Sequence, residues 1–221
     1  MEKGYKICLF DLDGTITDSA PGIVNSVIYA LKKFGIEETD REKLLQFIGP
    51  PLTESFHRFY GFTEEESWKA VEYYREYYAE KGIFECTVYE GLEDALKKIK
   101  ESGRKILVAT SKPEVYAKRI IEHFGLTKYF DYIAGMELDG GRGMKAQVIE
   151  YALETCKIKN RDEVLMIGDR EHDVFGAESL GIDCVGVLYG FGSREELEKA
   201  GAKYVISRPE DLINILESNE K

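Results

Sequence analysis

Short apolar runs alternate with longer amphipathic segments from about Val88 onward. The runs predict strands and the segments predict helices, because helices repeat apolar residues every three or four positions. The predicted strands are Lys105–Ala109, Tyr132–Ala134, Val164–Ile167, Cys184–Val187 and Tyr204–Ile206. The predicted helices are Gly91–Glu101, Pro113–Phe124, Met144–Cys156, Val174–Leu180, Arg194–Ala200 and Pro209–Leu216. This alternation implies right-handed crossovers and an α/β fold with a doubly wound, mostly parallel sheet.

The segment from Asp18 to Cys86 breaks this rhythm, and it follows one further predicted strand, Lys6–Phe10. It contains no convincing strand, and glycines and prolines separate its helical patterns. Its predicted helices are Ser19–Phe34, Asp40–Phe47, Leu52–Tyr60 and Thr63–Glu80. We therefore expect a Rossmann-like core formed by residues 1–17 and 87–221, with an all-helical cap domain inserted at 18–86. An insertion at this point should lie over the ligand crevice as a lid.

Composition and charge narrow the possible functions. The chain has 221 residues and a formal net charge of −11, which disfavours a nucleic-acid polymer as partner. The apolar run Ile7–Phe10 stops at Asp11 and is too short for a signal peptide or a membrane span, so we expect a cytoplasmic protein without membrane contact. The four cysteines and three histidines show no zinc-ligand spacing. Both a monomer and a homodimer are compatible with the sequence.

Three predicted strands end in residues that suit phosphate or metal binding. They are followed by Asp11-Leu12-Asp13-Gly14-Thr15, by Thr110-Ser111 and by Gly168-Asp169-Arg170-Glu171-His172-Asp173. Ligands of open α/β sheets bind at the carboxyl ends of parallel strands, so these groups are expected around one crevice. Clustered carboxylates repel unless a proton or a cation relieves them. Oxygen ligands without histidine or thiolate suit Mg²⁺, although loop aspartates that cap helices would give the same pattern.

The pentapeptide Asp11–Thr15 resembles the first motif of the haloacid dehalogenase superfamily of phosphohydrolases, and Gly168-Asp169 with Asp173 resembles the fourth. The resemblance implies that Asp11 is the nucleophile, which forms an aspartyl-phosphate, and that Asp13 is the general acid and base. It also implies a Mg²⁺ site formed by Asp11, Asp169 and the backbone carbonyl of Asp13. Asp173 would bind metal-bound water or orient its neighbours.

Two other motifs of that superfamily are expected here. Thr110 resembles the second-motif hydroxyl that contacts phosphate, with Ser111 beside it. Ser111-Lys112-Pro113 stands where phosphoglycolate phosphatase-like members usually have Asn-Lys-Pro. Lys145, after Gly140-Gly141-Arg142-Gly143-Met144, resembles the third-motif lysine that pairs with the nucleophile and the phosphoryl group. Arg142 is the rival candidate, and a solvated loop lysine is the plain alternative.

The insertion contains the stiff turn Phe47-Ile48-Gly49-Pro50-Pro51-Leu52. It resembles the corresponding loop of the phosphoglycolate phosphatase-like and five-prime-nucleotidase-like branches, so Gly49 and Pro50 are expected to contact the substrate. A simple connection between helices is the alternative. The tyrosine-rich run Tyr73–Tyr78 is expected to pack within the insertion rather than to stack on a substrate.

Together these features predict a Mg²⁺-dependent phosphatase that hydrolyses a small phosphorylated metabolite. Asp13 favours cleavage of a P–O ester, because dehalogenating and phosphonate-cleaving relatives replace this residue. Phosphoglycolate and nucleoside monophosphates are the leading substrate classes. A phosphotransferase such as a sugar-phosphate mutase, which would use the same aspartates, and a non-catalytic binding protein are the alternatives.

Overall fold

The computed structural model describes residues 4–138 and 141–218. The chain divides into two compact units, one formed by residues up to Thr17 and from Val88 onward, the other by Asp18–Thr87. We call them the sheet unit and the helical unit. Over the described residues, no helix combines the length and apolar character needed to cross a bilayer.

Eight strands are described, and six of them form the framework of the sheet unit; the other two include the residues at which the chain passes from one unit to the other. The eight strands are β1 (Ile7–Phe10), β2 (Thr17–Asp18), β3 (Thr87–Val88), β4 (Lys105–Pro113), β5 (Tyr132–Met136), β6 (Val164–Gly168), β7 (Asp183–Val187) and β8 (Tyr204–Ile206). Six strands form one sheet in the order β5-β4-β1-β6-β7-β8, and β2 and β3 form a separate pair. Every pairing in the large sheet is parallel. The predicted α/β fold with a doubly wound sheet is confirmed.

Helices cover the sheet between successive strands. In the sheet unit they are α5 (Leu92–Glu101), α6 (Glu114–His123), α7 (Lys145–Thr155), α8 (Glu171–Glu178), α9 (Arg194–Lys199) and α10 (Asp211–Ser218). In α5, for example, one apolar stripe is buried, formed by Leu92, Ala95, Leu96 and Ile99. All four residues of β1 are buried, as expected for a central parallel strand covered on both faces.

The helical unit contains α1 (Ala20–Lys33), α2 (Arg41–Leu45), α3 (Leu52–Tyr60) and α4 (Glu64–Tyr78). Aromatic side chains form much of its interior. Phe56 and Phe62 stack with their ring centroids 5.9 Å apart, and Tyr74 and Tyr78 stack at 5.2 Å. Since both of these tyrosines are buried, this pair of the tyrosine-rich run packs within the unit, as the sequence predicted.

Two elements at the ends of the strands differ from their predicted bounds. The predicted strand Lys105–Ala109 continues to Pro113 through an irregular stretch, because Pro113 still pairs with Met136 of β5. The predicted helix Val174–Leu180 begins earlier, at Glu171, because the Asp173 carboxylate accepts a hydrogen bond from the Arg170 N–H and caps the helix. The short β2 strand, which includes Asp18, was also not predicted.

Candidate active site

The order of the strands creates a switch point beside β1. The chain passes from β1 to β4 and β5 on one side, then returns to β6 on the other side and continues outward. Phe10, the last residue of β1, pairs with Val108 of β4 and with Ile167 of β6. The carboxyl ends of these three strands are therefore adjacent, which is where open α/β sheets bind ligands.

The loop after β1 is a tight turn that holds two carboxylates. Its backbone is fixed because the N–H groups of Ile16 and Thr17 both donate to the Leu12 carbonyl, at 2.8 and 2.9 Å. The Leu12 side chain is fully buried and anchors the loop in the core. Asp11 lies at the end of the strand and is largely buried, whereas Asp13 is partly exposed. The loop therefore presents both carboxylates at the sheet edge.

Asp11, Asp169 and Asp173 form an acidic cluster. One carboxylate oxygen of each residue lies within 4.8 Å of the others. Burial raises the pKa of Asp169 well above its ordinary value, and the charges of Asp173 and Asp11 raise it further. Burial also raises the pKa of Asp173, although the Lys145 ammonium opposes this shift. In the absence of a cation, this cluster resists full ionisation.

Lys145, the first residue of α7, points its ammonium group into the cluster. Its Nζ lies 2.8 Å from Asp11 Oδ1 and 2.7 Å from Asp173 Oδ1, and it donates to the Ala109 carbonyl at 3.1 Å. Burial lowers the pKa of Lys145, but the charges of Asp11 and Asp173 outweigh this effect and raise it above its ordinary value. Lys145 therefore stays positively charged beside Asp11.

Arg142, the rival candidate, lies in a different environment. Its guanidinium donates to Glu137 at 2.6 Å and to the Gly135 carbonyl at 3.2 Å, and it lies 4.0 Å from the centroid of the Tyr151 ring. These contacts hold the loop before α7 against β5. Gly140 of the same predicted turn lies outside the described residues.

Thr110 and Ser111 lie within β4 and not beyond its end, which corrects the predicted position of both residues. Thr110 is buried, and its Oγ1 accepts a hydrogen bond from the Lys112 N–H at 3.2 Å. The Lys112 side chain pairs with Asp13, Nζ to Oδ2, at 2.9 Å. The sequence analysis gave Lys112 no role, although its place two residues after Thr110 was a usable signal.

The loop after β7 also contributes to the site, and the sequence analysis missed it. The Phe191 N–H donates to Asp169 Oδ2 at 2.8 Å. A side chain at Gly190 would collide with Asp169 Cβ and the Gly14 carbonyl, and one at Gly192 would collide with the Asp169 carbonyl. The loop can thus lie directly against Asp169 and fix its orientation. The run Gly190-Phe191-Gly192 at a strand end was the available signal.

Gly49 and Pro50 lie in the helical unit, in the turn between α2 and α3. Gly49 has a φ of 106°, a conformation that favours glycine, and Pro51 precedes the first residue of α3. This turn connects two helices of that unit.

The acidic cluster has the chemistry of a site for a hard divalent cation. Its donors are carboxylate oxygens, which Mg²⁺ and similar cations prefer. Asp169 Oδ1 is buried and has no hydrogen-bond partner among the described residues. The carboxylate of Asp13 is not part of this group of three, and it forms an ion pair with Lys112. Ligands of a doubly wound sheet bind at its switch point, and a buried lysine together with a divalent cation there could stabilise the negative charge of a phosphoryl group.

Comparison with known proteins identifies the family. Residues 8–187 match the haloacid dehalogenase-like hydrolases, and the chain belongs to this family. A 5′-nucleotidase of Pseudomonas aeruginosa is 42% identical over 97% of this chain and 97% of its own length. Tyrosine-protein kinase PtkA of Mycobacterium tuberculosis is 37% identical over 90% of this chain and 68% of its own length.

A solved structure extends this comparison. The crystal structure of a predicted phosphatase from Clostridium acetobutylicum is 50% identical, with a TM-score of 0.91, and the match covers 96% of this chain and 99% of that one. The predicted family and enzyme class are thereby confirmed. The protein is a haloacid dehalogenase-like hydrolase, and the relatives named above include a 5′-nucleotidase and a predicted phosphatase.

Proposed function

We propose that the protein is a Mg²⁺-dependent phosphomonoesterase that works through an aspartyl-phosphate on Asp11. The observation that carries this proposal is the position of Asp11: its carboxylate lies at the end of the central strand, beside Lys145 and within the acidic cluster. A carboxylate held in one orientation by a charged neighbour is suited to nucleophilic attack.

In the first step, an Asp11 oxygen attacks phosphorus and the bond between phosphorus and the ester oxygen breaks. Asp13 donates a proton to the departing oxygen, so that the alcohol leaves uncharged. Lys145 holds the attacking carboxylate through Oδ1 and offsets the charge that accumulates around it. We assign contacts with the phosphate oxygens to the Thr110 hydroxyl and to Ser111.

In the second step, Asp13 takes a proton from water, whose oxygen attacks phosphorus while the bond to Asp11 breaks. Inorganic phosphate and the original carboxylate result. Bound Mg²⁺ would supply charge compensation for the phosphoryl oxygens and the carboxylates. We propose that Asp11, Asp169 and the Asp13 backbone carbonyl would hold it, and that Asp173 would bind metal-bound water or orient its neighbours.

For the substrate, we propose a nucleoside 5′-monophosphate as the first class to test. The 42% identical relative that is a 5′-nucleotidase supports this choice. Phosphoglycolate is the second class, from the resemblance of the motifs. We also propose that the Gly49-Pro50 turn of the helical unit contributes to this choice.

Phosphoryl transfer is a second candidate activity, because a 37% identical relative is a tyrosine-protein kinase. The two activities differ in the fate of the phosphoryl group. A phosphatase releases one inorganic phosphate for each ester consumed, whereas a transferase passes the group to an acceptor.

The test is a panel of phosphorylated metabolites incubated with Mg²⁺ and with an excess of chelator, with phosphate release measured against ester consumed. We expect stoichiometric release that the chelator abolishes. Asp11→Asn should abolish turnover and the acid-stable radiolabel that a trapped phosphoenzyme retains, because a neutral amide is a poor nucleophile. Turnover in excess chelator would contradict the metal assignment, and one-tenth activity in Asp11→Asn would contradict the covalent mechanism.

A further inference from the structure

Lys112 is a buried lysine that the mechanism above does not use. Its side chain is only 5% exposed, and its Nζ lies 2.9 Å from Asp13 Oδ2. A buried ammonium is costly unless a carboxylate and other polar groups compensate for lost hydration. The ion pair with Asp13 therefore compensates for the burial of the Lys112 ammonium group. The residues around Lys112 hold its side chain in this position.

An irregularity in the pairing of β4 with β5 determines the position of Lys112. The register with β5 runs regularly to Thr110, opposite Gly135, and resumes at Pro113, opposite Met136. Ser111 and Lys112 thus lie in a bulge, a feature that redirects side chains and is common beside active sites. The Lys112 N–H donates to Thr110 Oγ1 at 3.2 Å and fixes the bulge internally.

The neighbouring strand is shaped to accept this bulge. A Cβ atom at Gly135 would lie 2.6 Å from the Lys112 carbonyl oxygen and 2.6 Å from Glu114 Cα. Such distances are too short for non-bonded atoms, so the bulge can approach β5 only because residue 135 is glycine. Lys112 is consequently held on both sides, by Thr110 and by β5.

The two oxygens of the Asp13 carboxylate have different surroundings. Oδ2 contacts the Lys112 ammonium, whereas Oδ1 is buried and has no hydrogen-bond partner among the described residues. The other lysine of the site, Lys145, contacts Asp11 and Asp173. The two lysines therefore pair with different carboxylates. Lys112 contacts the Asp13 carboxylate through one oxygen only.

We propose that Lys112 is a positioning residue that holds Asp13 through Oδ2, so that Oδ1 faces the proton-transfer path. This inference rests on the proposed role of Asp13 as general acid and base. Without Lys112, the Asp13 carboxylate can rotate about its side-chain bonds, and fewer of its orientations are productive. Removal of Lys112 should therefore slow proton transfer, because Asp11 and the acidic cluster keep their contacts with Lys145.

The test compares Lys112→Met with Asp13→Asn on two esters, a nucleoside 5′-monophosphate and p-nitrophenyl phosphate. The leaving group of p-nitrophenyl phosphate departs without a proton, so it needs the acid less. We expect Lys112→Met to lower kcat about tenfold to a hundredfold on the nucleotide and by about threefold or less on p-nitrophenyl phosphate. KM should change little. Lys112→Arg should recover part of the loss, because the positive charge is kept.

The double variant Lys112→Met/Asp13→Asn separates positioning from general structure. If Lys112 acts through Asp13, the double variant should be no slower than Asp13→Asn alone. Lys118→Met is the matched control, since this lysine is exposed, pairs with Glu114 on α6 and should give wild-type rates. Thermal melts should show that each variant is folded.

Losses that multiply in the double variant, or equal losses on both esters, would overturn the proposal. If Lys112→Met does not fold, the same comparison is made with Lys112→Arg. An equal decrease in kcat on both esters would then contradict the positioning role of Lys112. Failure of the proposed function is distinguishable: Asp13→Asn would then hydrolyse the nucleotide as fast as the wild type.

Discussion

At the residue scale, the site is organised by its charges. Asp11, Asp13, Asp169 and Asp173 bring four carboxylates together, and two ammonium groups, those of Lys112 and Lys145, pair with three of them. Full ionisation would leave an excess of two negative charges, which equals the charge of one divalent cation. The raised pKa values of Asp169 and Asp173 express the same imbalance when no cation is bound. The excess negative charge therefore favours binding of a divalent cation, but it destabilises the folded protein when no cation is bound.

Asp169→Asn should therefore stabilise the metal-free protein at neutral pH. The folded-state pKa of Asp169 lies well above its ordinary value of 3.8, so the ionised carboxylate destabilises the fold above that folded-state pKa. The penalty shrinks as the pH falls through the folded pKa and is gone near the ordinary value. The variant should therefore be more stable than the wild type at pH 7, and this advantage should disappear toward pH 4.

Thermal melts in chelator between pH 4 and pH 8 measure this difference. Added Mg²⁺ should raise the Tm of the wild type and have little effect on the variant, because the variant lacks one ligand. A variant that is less stable than the wild type at pH 7 in chelator would contradict the assigned charge balance.

Lys145→Met and Arg142→Met separate the two candidates for the third motif. Loss of the Lys145 ammonium leaves Asp11 and Asp173 without their cation, so kcat should fall by about a hundredfold or more. Arg142→Met removes contacts to Glu137 and Gly135 and should lower kcat by less than about tenfold. Steady-state kinetics on one substrate give the ranking. The reverse order would assign the phosphoryl contact to Arg142.

At the element scale, periodicity was sufficient for the order of the helices and of the six strands in the large sheet, but not for the ends of these elements or for the short strand β2. The sheet and its helices follow from buried runs and apolar stripes, which a single sequence displays directly. The end of β4 does not, since a bulge at Ser111 and Lys112 depends on pairing with a distant strand. The start of α8 likewise depends on a hydrogen bond between Asp173 and the Arg170 N–H.

The same reasoning explains which parts of the site could be predicted. Asp11, Asp169 and Asp173 were recognisable because each follows a strand in a distinctive acidic motif, and the structure brings them together. Lys112 and the loop Gly190-Phe191-Gly192 had weaker signals, a place two residues after Thr110 and a glycine-rich run after a strand, and neither signal indicates a contact partner. Their positions depend on close contact between segments far apart in the chain, which spacing alone does not reveal.

Gly192→Ala should weaken cation binding without altering any ligand. The added methyl group meets the Asp169 carbonyl and forces the loop away, so the Phe191 N–H no longer holds Asp169 Oδ2. Loss of such supporting contacts typically weakens metal affinity about tenfold to a hundredfold. Mg²⁺ titration followed by calorimetry measures the change.

Phe191→Leu is the matched control for the loop, because it keeps the backbone N–H that donates to Asp169. Its Mg²⁺ affinity should stay within about threefold of the wild type. Equal losses in both variants would show that the side chain of Phe191, and not the approach of the backbone, supports Asp169.

At the scale of the whole molecule, the two units contain different kinds of functional candidates. The described residues of the acidic cluster, with Lys112 and Lys145, all belong to the sheet unit. The helical unit contributes a core of packed aromatic rings and the stiff turn at Gly49 and Pro50. We propose that chemistry resides in the first unit and that part of the substrate choice resides in the second. The net charge of −11 disfavours polyanionic substrates, in keeping with the small phosphorylated substrate that we propose.

Pro50→Gly and Leu52→Ala test the proposed role of the helical unit. Pro50 stiffens the turn and Leu52 begins α3, so both changes alter the turn without touching the acidic cluster. We expect each variant to change the ranking of kcat/KM among natural phosphomonoesters by about tenfold, while p-nitrophenyl phosphate changes by about twofold or less. The generic ester serves as the control, since its hydrolysis requires the chemical centre but few contacts with the leaving group. Kinetics across nucleoside 5′-monophosphates and phosphoglycolate decide between the two interpretations: equal losses on every ester, the generic one included, would mean that the turn only connects two helices.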